Sequence, residues 1–218
     1  LHYPLRRQRQ MCIRDSIKGL VISFNYNSLF GLYGNFDYTF QVAKGSASDP
    51  EEARNAANAG ILPEIYLTPL NWDQTHTMNL NMGYDRGFWG ANVIGSFGSG
   101  MPYTPRFTTS SGTTDISSIL TNSQIKPYQI NFDLNAYYNT KFLGLNQRWF
   151  LRINNIFDRL NHNDVYAESG RADFSPEYAR LSGTLFRRDF VNSLESWFND
   201  ETKYSAPRRV EMGVTLNF

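Results

Sequence analysis

The chain has no long hydrophobic run. No segment of its 218 residues approaches the roughly 18 consecutive apolar residues of a transmembrane helix, and mean hydropathy is −0.46. A helical membrane protein is excluded. A membrane β-barrel is not, because its strands alternate and look polar on average. There is one cysteine, Cys12, which excludes an internal disulfide framework and any Cys-rich zinc module. Charge of one sign is also missing: 21 Lys and Arg against 20 Asp and Glu leave +1. No strong global field draws in nucleic acid or anionic lipid. What is abundant is aromatic, with 16 Phe, 13 Tyr and 4 Trp. That content argues against intrinsic disorder, and the length suits one domain or two small ones.

Residues 1–16 stand apart. They contain Arg6, Arg7, Arg9 and Arg14, and they lack an initiator Met and the apolar stretch of a signal peptide. They are expected to be a non-native or disordered leader, with the upstream part of the gene missing, and residues 17–218 to be the folded part.

From Lys18 onward, period two dominates. Leu20, Ile22, Phe24 and Tyr26 oppose Ser23 and Asn25. Phe30, Leu32, Phe36, Tyr38, Phe40 and Val42 oppose Tyr33, Asn35, Asp37, Thr39 and Gln41. Met78, Leu80, Met82 and Tyr84 then alternate with Thr77, Asn79, Asn81 and Asp85. Trp89, Ala91, Val93 and Phe97 oppose Asn92 and Ser96, with Ile94 a lapse. Ile130 to Tyr138 alternates with Asn131, Asp133, Asn135 and Asn139, and Trp149, Leu151, Ile153 and Phe157 with Arg152 and Asn154. The last run is the cleanest: Val210, Met212, Val214, Leu216 and Phe218 against Glu211, Gly213, Thr215 and Asn217. These runs approach the ~9–11 residues that cross a bilayer, beyond the ~5–6 usual in soluble sheets. Asn is depleted from ordinary strands, but it suits a wet lumen.

The connections alternate short and long. Asn27–Leu29, Arg86–Gly87 and Leu143–Asn146 are tight, whereas 44–74, 99–127 and 162–206 are long. This is the asymmetry of an outer-membrane barrel with short periplasmic turns and large extracellular loops. The expectation is an all-β fold: an antiparallel transmembrane barrel segment of about seven meander strands, incomplete because single-chain bacterial barrels have even numbers. Tyr26, Phe30, Phe40, Phe88, Trp89, Phe142, Trp149 and Phe218 fall near strand ends, as interfacial girdles require.

Three motifs then appear in order: Ser99-Gly100-Met101-Pro102-Tyr103-Thr104-Pro105, Asn155-Ile156-Phe157-Asp158-Arg159-Leu160-Asn161, and Ala206-Pro207-Arg208-Arg209 leading into Val210–Phe218. Together they resemble the C-terminal barrel of TonB-dependent outer-membrane receptors. The resemblance implies a location in the cell outer membrane and about the last third of a plugged 22-stranded barrel. It implies capture of a small extracellular ligand (siderophore, vitamin or glycan) and coupling to TonB through a plug region absent here. The implied partners are outer-membrane lipid and the barrel-assembly machinery, which would read Val210, Met212, Val214, Leu216 and Phe218. A passive porin-like channel and a soluble β-sandwich binding module are the alternatives.

No enzyme, cofactor or metal site is expected. His2, His76 and His162 lie far apart with no metal-ligand spacing; His162, near Asp164, reads as a solvated loop residue. Gly95, Gly98 and Gly100 lack the Lys and helix of a phosphate loop, and no nucleophile elbow occurs. Short helices are expected over Asp49–Ala59, which opens with a cap residue and Pro50, and over 176–198, where Tyr178, Leu181, Leu185 and Trp197 fall near helical spacing.

Overall fold

Alternating apolar and polar residues favour extended backbone, because only a strand separates them cleanly onto two faces. The computed structural model describes residues 15–46, 51, 54–55, 58–60, 66–108, 114–115, 121–142, 144–176 and 200–217. Twelve strands occur there: β1 (Asp15–Asn27), β2 (Leu32–Gly45), β3 (Thr68–Pro69), β4 (His76–Asp85), β5 (Trp89–Gly98), β6 (Pro102–Tyr103), β7 (Phe107–Thr108), β8 (Thr114–Asp115), β9 (Gln124–Ile125), β10 (Gln129–Phe142), β11 (Leu145–Asn154) and β12 (Arg209–Asn217). The seven long ones form one antiparallel meander in the order β1-β2-β4-β5-β10-β11-β12, and β3 adds to the end of β2. The pairs β6/β9 and β7/β8 are small separate ladders in the loop after β5.

The fold is therefore all-β, with seven long strands in sequence order. Among the described residues β1 pairs only with β2, and β12 only with β11. The boundaries differ from the sequence reading in several places: Leu145 and Asn146 belong to β11, and Lys44 and Gly45 to β2, rather than to the connections. Asp15 and Ser16, assigned to the leader, begin β1 opposite Gly45 and Lys44. Phe30 lies in a turn rather than in β2, its N–H bonded to Ser28 Oγ at 3.2 Å. Phe157 lies beyond β11, because Asn155 takes a left-handed φ of 55° and ends the ladder.

The tight connections carry the residues that such turns need. Gly31, Gly87 and Gly144 all have φ between 78° and 89°, a region that costs glycine nothing. Asp85 Oδ1 accepts the Gly87 N–H at 2.7 Å. These three turns lie at one end of the sheet, and the ends of β2, β5 and β11 that lead into the long connections lie at the other, as a meander requires.

Helical backbone occurs at Glu51, Arg54, Asn55 and Asn58. The Ala59 N–H reaches Asn55 O at 2.9 Å, in keeping with the expected short helix. Its predicted cap, Asp49-Pro50, and the segment from Glu177 to Phe198 lie outside the described residues.

Among the described residues there is almost no hydrophobic core. The buried apolar residues are Ala43, Leu70, Val165 and Ala172, and no large side chain is fully buried among the described residues. A β-sandwich buries two inner faces against each other, and no second layer of that kind exists there.

A polar face, an apolar face and a clamped rim

Directly opposed residues in an antiparallel pair project to the same face, so the register decides what each face carries. One row across the sheet reads Asn25, Asn35, Asn81, Ile94 and Asp133. The next reads Asn27, Tyr33, Gly83, Asn92, Asn135, Arg152 and Glu211. Amides bridge neighbouring strands on this face: Asn35 Nδ2 donates to Asn25 Oδ1 and Asn92 Nδ2 to Asn81 Oδ1, each at 2.5 Å. Within these two rows Ile94 is the apolar intrusion, as its lapse in the pattern implied; elsewhere the same face carries Ile17, Val21 and Phe150.

The opposite face carries Tyr26, Gly34, Met82, Val93, Leu134, Ile153 and Val210 in one row. Leu32, Tyr84, Ala91, Ala136, Leu151 and Met212 form the next. Its large side chains are unusually open, with Phe24 61%, Met82 49%, Trp149 51% and Met212 78% exposed. Rings gather toward both ends. Tyr84 lies 5.2 Å from Trp89, and Phe88 6.4 Å from Tyr138, near the tight turns. Phe97–Tyr128 at 5.9 Å and Phe132–Phe157 at 5.5 Å lie toward the long loops.

The polar face is shaped by ring-over-glycine pairs. Tyr33 opposes Gly83, Tyr137 opposes Gly90 and Phe150 opposes Gly213. A Cβ at Gly213 would lie 2.7 Å from Phe150 Cζ, and one at Gly90 2.5 Å from Tyr137 Cε1. Only glycine lets these rings lie across the neighbouring strand. Arg148 sits 4.1 Å above the Tyr137 ring and Arg152 5.4 Å from Phe150, so guanidinium and ring stack in layers. Sequence reading missed these pairs, although Gly83, Gly90 and Gly213 interrupting alternating strands were a usable signal.

Above these layers a cleft of about 870 Å³ opens, lined by Asn79, Asn131, Asp133, Asn135, Arg152 and Glu211 among others. A second of about 570 Å³ lies over Tyr137, Arg148 and Phe150. Amides, hydroxyls and guanidinium groups facing a wet cleft can exchange hydrogen bonds with a polar solute. No nucleophile and base meet there among these lining residues.

The long-loop rim is tied together by side chains. Asp164 bonds Lys126 at 3.0 Å and Lys203 at 3.4 Å, joining the loop after β5 to both ends of the loop before β12. Partial burial pushes the Asp164 carboxyl up, but the Lys126 hydrogen bond, the Val165 N–H and the two ammonium charges outweigh it and hold its pKa below the usual value. Burial raises the Tyr103, Tyr166 and Tyr204 hydroxyls. Asn122, left-handed at φ 53°, donates to Pro69 O at 2.8 Å and links the first two long loops.

His162 is not a solvated loop residue. It is half-buried, its Nδ1 accepts the Ala172 N–H at 3.4 Å, and its ring meets Tyr204 edge-on at 5.5 Å. The neighbouring chain closes on it, which is why its polar atom finds a backbone partner. No group of three or more His, Cys, Asp or Glu suited to a metal exists among the described residues.

The three motifs meet at this rim. Ser99 Oγ accepts the His76 N–H at 3.0 Å, and Lys126 N–H bonds Met101 O at 2.9 Å. Asn155 donates to Arg159 O at 2.9 Å and Ala206 O at 3.1 Å, and Asp158 Oδ1 accepts the Arg208 N–H at 2.8 Å. The second and third motifs are thus directly bonded, which the sequence reading did not anticipate. Asn155, just beyond the end of β11, thereby satisfies two backbone carbonyls. Val210, Met212, Val214 and Leu216 share the apolar face of β12, opposite Ile153, Leu151, Trp149 and Gln147; Phe218 lies outside the described residues. No protein-family model, curated protein or solved structure matches the chain.

Proposed function

We propose that this sheet is a section of the wall of an outer-membrane β-barrel of the TonB-dependent receptor type, in a protein that takes up a small extracellular ligand. The observation that carries the reading is the single-layer meander with one continuous polar face and one continuous, exposed apolar face. In water such an apolar face would exceed the ~300–600 Å² patch of a typical soluble monomer; in a bilayer it is the solvated surface.

Dimensions support the same reading. On β10 and its approach, Tyr128 and Tyr138 bracket the apolar stretch. Ten residues at about 3.4 Å each give about 34 Å along the strand, or about 26 Å across a membrane at about 40° of tilt, close to the ~25 Å apolar belt of such barrels. The long loops then face the exterior and the tight turns the periplasm. Ligand is captured by the loops and the polar face, and TonB-driven rearrangement of a plug carried elsewhere in the protein releases it inward.

Topology labelling tests this. In a Cys12→Ser background, Ser123→Cys in a long loop is expected to react with a membrane-impermeant maleimide on intact cells. Arg86→Cys in a tight turn should react only after the outer membrane is opened. Equal labelling of both, or recovery of the chain in the soluble fraction, would overturn the reading. A growth defect shared by deletions of this gene and of tonB on one nutrient supports a receptor, whereas a defect from the gene alone supports a passive channel.

A further inference from the structure

Period-two alternation fixes which face of β12 is apolar, because a one-residue slip exchanges the faces. It does not fix the register. Val210, Met212, Val214 and Leu216 repeat every second residue, so a slip of two positions along β11 puts apolar on apolar again. The β10–β11 hairpin on these strands is set by a tight connection at Gly144. β12 arrives after the long connection 155–208, whose length transmits no register at all.

We infer that Asn155–Asn161 is a clasp that copies the register of β10 onto β12, independently of the loop between them. Its first half grips β10. The Asn155 N–H donates to Asp133 Oδ1 at 2.8 Å. The Asn161 side chain accepts the Ile130 N–H at 3.0 Å and donates to Ile130 O at 2.9 Å, taking the place of a neighbouring strand. Its second half grips the chain entering β12. Asn155 Nδ2 reaches Ala206 O, Asp158 Oδ1 takes the Arg208 N–H, and Asn161 exchanges bonds with Ser205 through its N–H to Oγ at 3.0 Å and its carbonyl from the Ser205 N–H at 2.8 Å.

Three residues, Ser205, Ala206 and Arg208, are thus indexed against fixed points, and a two-residue slip would break every bond. Asn155 and Asp158 hold φ of 55° and 53°, a conformation that Asn and Asp tolerate better than other side chains. Asn155 and Asn161 are each 6% exposed, so their amide bonds have no water competing for them. The loop from His162 to Tyr204 is pinched at its root by the bridge between those two residues, and its contents can change without moving β12.

The test reads register directly, on the full chain refolded into detergent micelles in the Cys12→Ser background. Arg152→Cys with Glu211→Cys reports the native pairing. Arg152→Cys with Arg209→Cys, and Arg148→Cys with Asn217→Cys, report slips of two in either direction. The native disulfide is expected to exceed either slipped one at least tenfold. Asn155→Gly with Asp158→Gly, which keeps the left-handed backbone and removes the gripping atoms, should cut that ratio about tenfold. Asp158→Asn should restore much of it, since an amide oxygen still accepts the Arg208 N–H. Replacing residues 177–199 by a Gly-Ser linker should leave the ratio unchanged. An unchanged ratio in the double glycine variant, or a shift caused by the loop replacement alone, would overturn the clasp. Loss of the control disulfide between Asn135→Cys and Arg152→Cys in the glycine variant would do so too, because the segment would then support the whole sheet rather than β12.

Discussion

Leu134→Arg and Asn135→Arg differ by one position on β10 and test the two faces against each other. Leu134 lies between Val93 and Ile153 on the apolar face, and Asn135 between Asn92 and Arg152 on the polar one. Leu134 is also within one residue of the midpoint between the Tyr128 and Tyr138 rings, so it falls at the centre of the proposed belt. Arg facing lipid at a bilayer midplane costs roughly 2–4 kcal/mol. At 1.36 kcal/mol per decade, that is about 30-fold to about 900-fold in a folding equilibrium.

Arg at 135 meets a different opposition. It would sit directly across from Arg152, and like charges opposed on a sheet are destabilising, on the scale of about 0.2–1 kcal/mol for a cross-strand pair. Water in the cleft screens that pair, so the polar-face penalty stays below the lipid-face one. The assay is urea-driven unfolding from lipid vesicles, followed by tryptophan fluorescence, with outer-membrane abundance as the cellular counterpart. Leu134→Arg should lower the midpoint strongly and Asn135→Arg slightly. Equal midpoints, or the reverse order, would refute the assignment of faces.

Three further outcomes follow from particular contacts. Gly213→Val should destabilise the sheet by about 1–3 kcal/mol, as overpacking does, and adding Phe150→Ala should recover part of it; detergent-resistant folding on unheated gels reads both. The Asp164 carboxyl is held below its ordinary 3.8 by Lys126 and Lys203 despite partial burial. Its contribution is therefore complete above about that pH and lost as pH falls through the lowered value. Amide exchange at the rim should accelerate below pH 4 in the wild type, and Asp164→Asn should remove that dependence. Deleting Phe218 should lower the outer-membrane level through poor recognition by the assembly machinery, while Phe218→Tyr should be mild. Wild-type levels after deletion would rule out the Phe218 ring as an assembly signal.

Much of the sheet was legible because a strand writes its faces into alternate residues. Every long run read from the sequence became a strand, and the short-long order of connections placed turns and loops at opposite ends. The misses occurred where periodicity stops carrying information. Phe157 continues the apolar phase of β11, yet the chain has already turned at Asn155, because a left-handed residue ends a ladder whatever follows it. His162 read as solvated because its sequence neighbours are polar, whereas its partners, Ala172 and Tyr204, lie 10 and 42 residues further on. The ring-over-glycine pairs were hidden for the same reason: a glycine in a strand announces a close approach, but only the register says what approaches.

The two devices that the periodicity hides act on the same ambiguity at two places along the sheet. Alternation leaves every even slip nearly degenerate, and a meander of long strands joined by long loops offers many such slips. Glycine breaks the degeneracy locally, because Phe150 fits over Gly213 and not over Glu211 or Thr215 in its place. The Asn155–Asn161 segment breaks it at the rim, by counting residues from Asp133 and Ile130 to Ser205 and Arg208. The Phe150 ring at the middle of β12 and the amides near the long loops thus hold the final strand at two points. Apart from Gly213, residues 210–216 need only the right period. That division explains why the apolar face of β12 can be so plain in sequence while its position is fixed by residues as far away as β10.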